Sequence, residues 1–165
     1  MIRYVNYGIM PSFYTLQGNR MPSIEKSALV PYSDAEMYAL VNDIESYPAF
    51  VPGCRSAQVL EATDSSKVAR LDISKAGVGK SFTTRNTLEP PGRIGMELVD
   101  GPFKYLRGGW YFQRLDEQAC KIILHLEFEF ANRLLGMAFG SIFNELQSRM
   151  VDAFVQRAEQ VYGSR

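Results

Sequence analysis

A few residues carry groups that could do chemistry. Cys54 ends the stretch "SYPAFVPGC", residues 46–54, just after a Pro-Gly turn. A nucleophilic cysteine needs a neighbouring base and an electropositive setting. The chain's one histidine is His125, which strand parity puts on a solvent-facing surface, so Cys54 reads as a small structural residue at a strand start. His125 and two scattered cysteines, Cys54 and Cys120, have no metal-ligand spacing, and no metal site or catalytic group is assigned. "KAGVGKSF" (75–82) looks like a phosphate loop, but position 74 is serine where the motif requires glycine. The segment also leads into a β-rich run rather than a helix, so it reads as a hairpin turn. Glu127 and Glu129 share one face of a strand and read as solvated carboxylates.

Basic side chains gather mid-chain: Arg70, Lys75, Lys80, Arg85, Arg93, Lys104 and Arg107. Eighteen basic residues balance eighteen acidic ones over 165 positions, so global charge points to no nucleic-acid partner and none to DNA. A local surface for RNA or anionic lipid is compatible with this balance. The other suggestive feature is apolar. "LLGMAFGSIF" (134–143) is hydrophobic nearly all round and must bury or line a pocket. It is too short to cross a bilayer. The turn "VDGPFK" offers Phe103 as a hydrophobic gate.

The elements that must position these residues follow from pattern. "IEKSALV" (24–30) alternates as a strand. Ser33 caps a helix with Asp34 and Glu36 in its first turn and Met37, Leu40 and Val41 on one face. A second short helix, "IESYPAF", ends at Pro52-Gly53, making "SYPAFVPGC" a structural elbow. Strand patterns follow at 55–62, 67–74, 80–88, 93–99, 105–115 and 120–130, separated by short turn-rich breaks that imply antiparallel hairpins. In the last strand Ile122, Leu124, Leu126, Phe128 and Phe130 share the buried face. A long helix runs from Asn132 to about Val161.

The predicted class is therefore α+β, in the order β-α-α-β6-α. A curved antiparallel sheet of about seven strands grips one long C-terminal helix, and this arrangement leaves a cavity between helix and sheet. Residues 1–20 follow neither period and read as an extension outside a single domain over 21–163. They make a poor signal peptide, and the cysteine usage suits a reducing cytoplasm.

Four blocks, "ALVPYSDAEMYALVNDIESYPAFVPGC", "DISKAGVGKSFTTRN", "LVDGPFKYLRGGWYF" and "FEFANRLLGMAFGSIFNEL", closely resemble the bacterial ribosome association toxins. That family lies in the coenzyme Q-binding branch of the START-like, polyketide cyclase/dehydrase superfamily. The resemblance covers essentially all of 21–163. It implies the helix-grip (START-like, Bet v 1-like) fold and non-enzymatic binding of ubiquinone or a related isoprenoid lipid in support of respiratory electron transport. It also implies a toxin–antitoxin context, with translation inhibited by binding the large ribosomal subunit and blocking its association with the small one. A cytoplasmic protein making transient contact with the inner membrane fits these roles.

Parity then nominates the cavity wall: Tyr47 and Phe50 from the elbow; Leu71, Ile73, Phe82, Met96, Leu98, Trp110, Phe112, Leu124 and Leu126 from the sheet; Phe139, Ile142 and Phe143 from the long helix. Trp110 can donate its indole N–H to a quinone carbonyl. Ribosomal RNA would dock on Arg85, Arg93, Lys104 and Arg107. The alternative is a polyketide (oligoketide) cyclase. It needs acid/base groups aimed inward. Only Thr84 and Asn86 share the parity of Phe82, with Arg70 and Asp72 joining them if their strand is reversed, and none is a convincing base.

Overall fold

A computed structural model describes residues 23–165. The predicted extension, 1–20, lies outside the described residues. The elements run β1 (Ser23–Val30), α1 (Asp34–Asn42), a 3-10 helix (Ile44–Ala49), β2 (Cys54–Ala62), β3 (Ser66–Lys75), β4 (Val78–Glu89), β5 (Arg93–Asp100), β6 (Phe103–Asp116), β7 (Ala119–Phe130) and α2 (Arg133–Tyr162). All seven strands form one antiparallel sheet in the order β1-β7-β6-β5-β4-β3-β2. Every predicted strand is present, with boundaries shifted by at most two residues.

Local chemistry accounts for the element ends. Ser33 and Glu36 form a reciprocal capping box at the start of α1. The second short helix is 3-10 rather than α, because Pro48 within it lacks the N–H that an α-helical turn would use. Gly53, at φ +76°, then turns the chain into β2. Between β3 and β4, Ala76 (φ +52°) and Gly77 (φ +79°) both take positive φ, as a two-residue hairpin requires. The GVGKS sequence is thus hairpin and strand. Asn132 caps α2, its side chain accepting from the Leu135 N–H at 2.9 Å.

The sheet curves around α2. On its inner face Asn86, Met96, Gly108 and Leu126 stand opposite one another across β4, β5, β6 and β7. Gly108 takes φ +143°, and a Cβ there would lie 2.0 Å from the His125 carbonyl oxygen, so no other residue fits this close strand approach.

Helix α2 is held near both ends. Towards its start, Phe103 packs on Phe143 (ring centroids 4.9 Å apart) and Phe130 (5.1 Å), with Phe139 and Phe128 alongside. Phe103 is therefore buried core and not a gate. At the other end, Arg165 makes a two-pronged pair with Glu36 (2.8 and 2.9 Å), the Tyr162 hydroxyl donates to the Glu36 carbonyl, and the Tyr32 hydroxyl donates to the Gly163 carbonyl at 2.6 Å. The first two turns of α2 leave Leu134 and Met137 largely exposed, at 77% and 74%. No helix of the described residues is long and apolar enough to cross a membrane.

Candidate functional site

Under the middle of α2 lies a cavity of about 50 Å³. The 3-10 helix and α1 close it with Val41, Ile44 and Tyr47. Strands β3 and β4 supply Ala69, Leu71, Phe82, Thr84 and Asn86; β5 to β7 supply Ile94, Met96, Leu106, Trp110, Leu124 and Leu126. Helix α2 supplies Phe143, Leu146, Gln147 and Met150, which fall on one stripe at helical spacing.

Eight of the fourteen nominated wall residues line this space: Tyr47, Leu71, Phe82, Met96, Trp110, Leu124, Leu126 and Phe143. Six lie elsewhere. Phe50 packs edge-on against Tyr47 and Phe154, with the Arg157 guanidinium 5.1 Å over its ring, so it braces the wall from behind. Phe112 is buried against Tyr38 and Trp110. Phe139 belongs to the aromatic cluster at the start of α2. Leu98 is half-buried at the rim of the core. Ile73 and Ile142 face a separate outer groove. Strand parity finds the right face of the sheet, but not which part of that face the helix covers directly.

That outer groove, about 660 Å³, is walled by the elbow (Pro48, Val51, Pro52, Gly53, Cys54) and by Lys75, Ile142, Glu145 and Arg149. Leu146 lines both the groove and the cavity, so one side chain stands in the partition.

The cavity wall has few polar side chains: Tyr47, Thr84, Asn86, Trp110 and Gln147. The Tyr47 hydroxyl donates to the Val41 carbonyl, and burial raises its pKa far above the ordinary phenol range. The Thr84 hydroxyl donates to Asn86 Oδ1 at 2.8 Å. The Gln147 side-chain oxygen is buried and has no hydrogen-bond partner among the described residues. Sequence reasoning missed Gln147. Its signal was position: it lies four residues after Phe143 and three before Met150, a polar residue on the apolar stripe. Among the described residues no carboxylate, histidine or lysine lines the cavity. Arg70 and Asp72 lie on the outer face, exposed and paired with each other at 3.3 Å.

Both cysteines are buried. Burial pushes the Cys54 thiol up to about 11 and the Cys120 thiol up to about 12, so neither is a ready thiolate.

On the outer face, Arg85, Glu97, Arg107 and Glu127 stand opposite one another across β4 to β7, alternating in sign. Arg107 Nε is 2.8 Å from Glu127, and Arg93 is 2.6 Å from Glu89 and stacks on Tyr111. Carboxylates thus interleave much of the predicted basic patch. His125 lies between Glu25 and Glu127, 3.6 Å from each, on this outer face.

Residues 30–155 match the family described as "Polyketide cyclase / dehydrase and lipid transport". The chain belongs to this family. Within it, the chain is 56% identical to "Ribosome association toxin RatA" of Vibrio cholerae over 87% of its own length and 99% of that protein. It is 54% identical to the protein of the same name from Escherichia coli, over 88% and 92%. It is also 28% identical to "Coenzyme Q-binding protein COQ10, mitochondrial" of Drosophila melanogaster, spanning 84% of this chain and 59% of that protein. Among solved structures, the Zhui aromatase/cyclase from Streptomyces sp. R1128 superposes with a TM-score of 0.77 at 18% identity, covering 88% of this chain and all of that one. This likeness establishes the START-like helix-grip fold.

Proposed function

We propose that the protein is a non-enzymatic carrier that binds ubiquinone or a related isoprenoid lipid between α2 and the sheet. The observation that carries the reading is the buried, mostly apolar cavity under the middle of α2, in a chain whose relatives include a coenzyme Q-binding protein. Burying a prenyl tail is favourable by about 25 cal/mol per Å² of apolar surface, so a few polar contacts suffice for orientation. The closed cavity is smaller than such a ligand. Displacing Leu146 would join it to the 660 Å³ groove, a volume in the usual range for ligand pockets. The cyclase alternative finds no cavity-facing base among the described residues.

Trp110, the chain's one tryptophan, lines the cavity and reports on occupancy. Titration of delipidated protein with ubiquinone is expected to quench its fluorescence saturably. Absence of both quenching and co-purified lipid overturns the reading.

A second reading, attachment to the large ribosomal subunit, is favoured by the strong identity to proteins named as ribosome association toxins. It uses the outer face and is compatible with lipid inside. It predicts salt-sensitive co-sedimentation with the large subunit and fewer joined ribosomes. Charge reversal at Arg85 and Arg107 together is expected to abolish co-sedimentation; unchanged sedimentation removes this patch from the reading.

A further inference from the structure

Gln147 is only 7% exposed, yet its side-chain oxygen accepts no hydrogen bond from any described residue. A buried acceptor left unpaired is destabilising, and native structures seldom keep one without a use. A leucine at this position would continue the stripe of Phe143, Leu146 and Met150 without that penalty. The orphan oxygen lies on a residue that lines the cavity, not in a packed layer between elements.

Two other oxygens of the wall share one property. The Tyr47 hydroxyl has spent its proton on the Val41 carbonyl, and the Thr84 hydroxyl has spent its proton on Asn86. Both retain lone pairs and neither has a proton left to give. Together with the Gln147 oxygen they give the wall three acceptors, beside the N–H donors of Trp110, Asn86 and the Gln147 amide.

A quinone headgroup presents only acceptors. It can pair with the N–H groups of Trp110, of Asn86 or of the Gln147 amide itself, but leaves the Gln147 oxygen orphaned. A quinol hydroxyl donates and accepts, so it can pair with those same N–H groups and also satisfy Gln147. The N–H donors therefore do not discriminate between redox forms, whereas the glutamine oxygen does. Resting on the quinone-lipid reading above, we propose that Gln147 is a headgroup contact that selects the reduced, hydroxyl-bearing form of the lipid over the oxidised form.

The test is anaerobic calorimetric titration of delipidated full-length protein with decylubiquinol and, separately, decylubiquinone. The wild type is expected to bind the quinol about tenfold more tightly, the size of one added buried hydrogen bond. Gln147→Leu should bring quinol affinity down to the quinone value while its melting temperature holds or rises, because the orphan acceptor is gone. Gln147→Met, unbranched and close in length, should give the same result if the leucine variant folds poorly. Equal affinities in the wild type, a preference for the quinone, or an equal loss of both ligands in the variants overturns the selection role and leaves lipid binding standing. Binding of neither form by the wild type overturns the lipid reading itself.

Discussion

The two faces of β4 to β7 carry rows of residues one position apart in sequence. Asn86, Met96, Gly108 and Leu126 look inward; Arg85, Glu97, Arg107 and Glu127 look outward. The inner row packs over a cavity and under a helix. The outer row is an alternating charge ladder in water. The same backbone hydrogen bonds serve both, so the difference lies wholly in what each face meets. The inner face holds the fold through burial, while exposed ion pairs on the outer face add little. Packing therefore constrains the inner face far more than the outer one.

The largest test of this contrast is Trp110→Ala. It should cost about 3–5 kcal/mol in chemical denaturation, because Trp110 is almost fully buried and touches Phe112 and Phe154. A loss below about 1 kcal/mol would mean the inner face is not the stabilising one. Next is Leu146→Ala, expected to cost about 2–4 kcal/mol and to speed lipid exchange by opening the partition; slower exchange in stopped-flow mixing would contradict its position between cavity and groove. On the outer face, Arg107→Glu should move the melting temperature by no more than about 2 °C, although it places like charges opposite each other. A collapse in stability would make the ladder structural.

The smallest effect is titration. The Arg107 guanidinium holds the Glu127 carboxyl below its usual range. The ionised pair then adds stability above the ordinary carboxylate pKa and loses it as pH falls through the lowered folded value. Arg107→Gln should shallow the fall of melting temperature below about pH 4.5, and an unchanged acid limb would show that the pair contributes nothing. Separately, native Cys54 and Cys120 should resist alkylation by iodoacetamide at pH 8, with both reacting in denaturant; rapid native labelling would contradict their burial.

Periodicity made the fold legible because each strand of the sheet has one wet face and one dry one. The pattern from Ile122 to Phe130 alone defines inside and outside for β7 and, through pairing, for its neighbours. The site was less legible. Phe112 and Leu126 have the same inward parity, but only Leu126 lies beneath the open part of α2. Parity carries no information on that position along the sheet. Gln147 was overlooked because an apolar search passes over a polar residue. The carboxylates beside the basic patch were hidden for the converse reason: they come from other strands, and only register brings Glu97 and Glu127 beside Arg107.

In mechanical terms α2 is a beam on two supports, with the aromatic cluster under one end and the Arg165–Glu36 clasp at the other. Gln147 sits at mid-span of Arg133–Tyr162. A helix of this length, roughly 45 Å at 1.5 Å per residue, lifts its centre by about 3 Å when bowed to the ordinary curvature of long helices. That is about the thickness of an aromatic ring. The lysines reaching the span from the strands, Lys26 to the Ser148 carbonyl and Lys75 to Glu145, have flexible stems that can follow so small a movement. A cavity that swelled would lift this mid-span between the two supports and would first loosen the packing of Phe154 on Tyr47, Phe50 and Trp110.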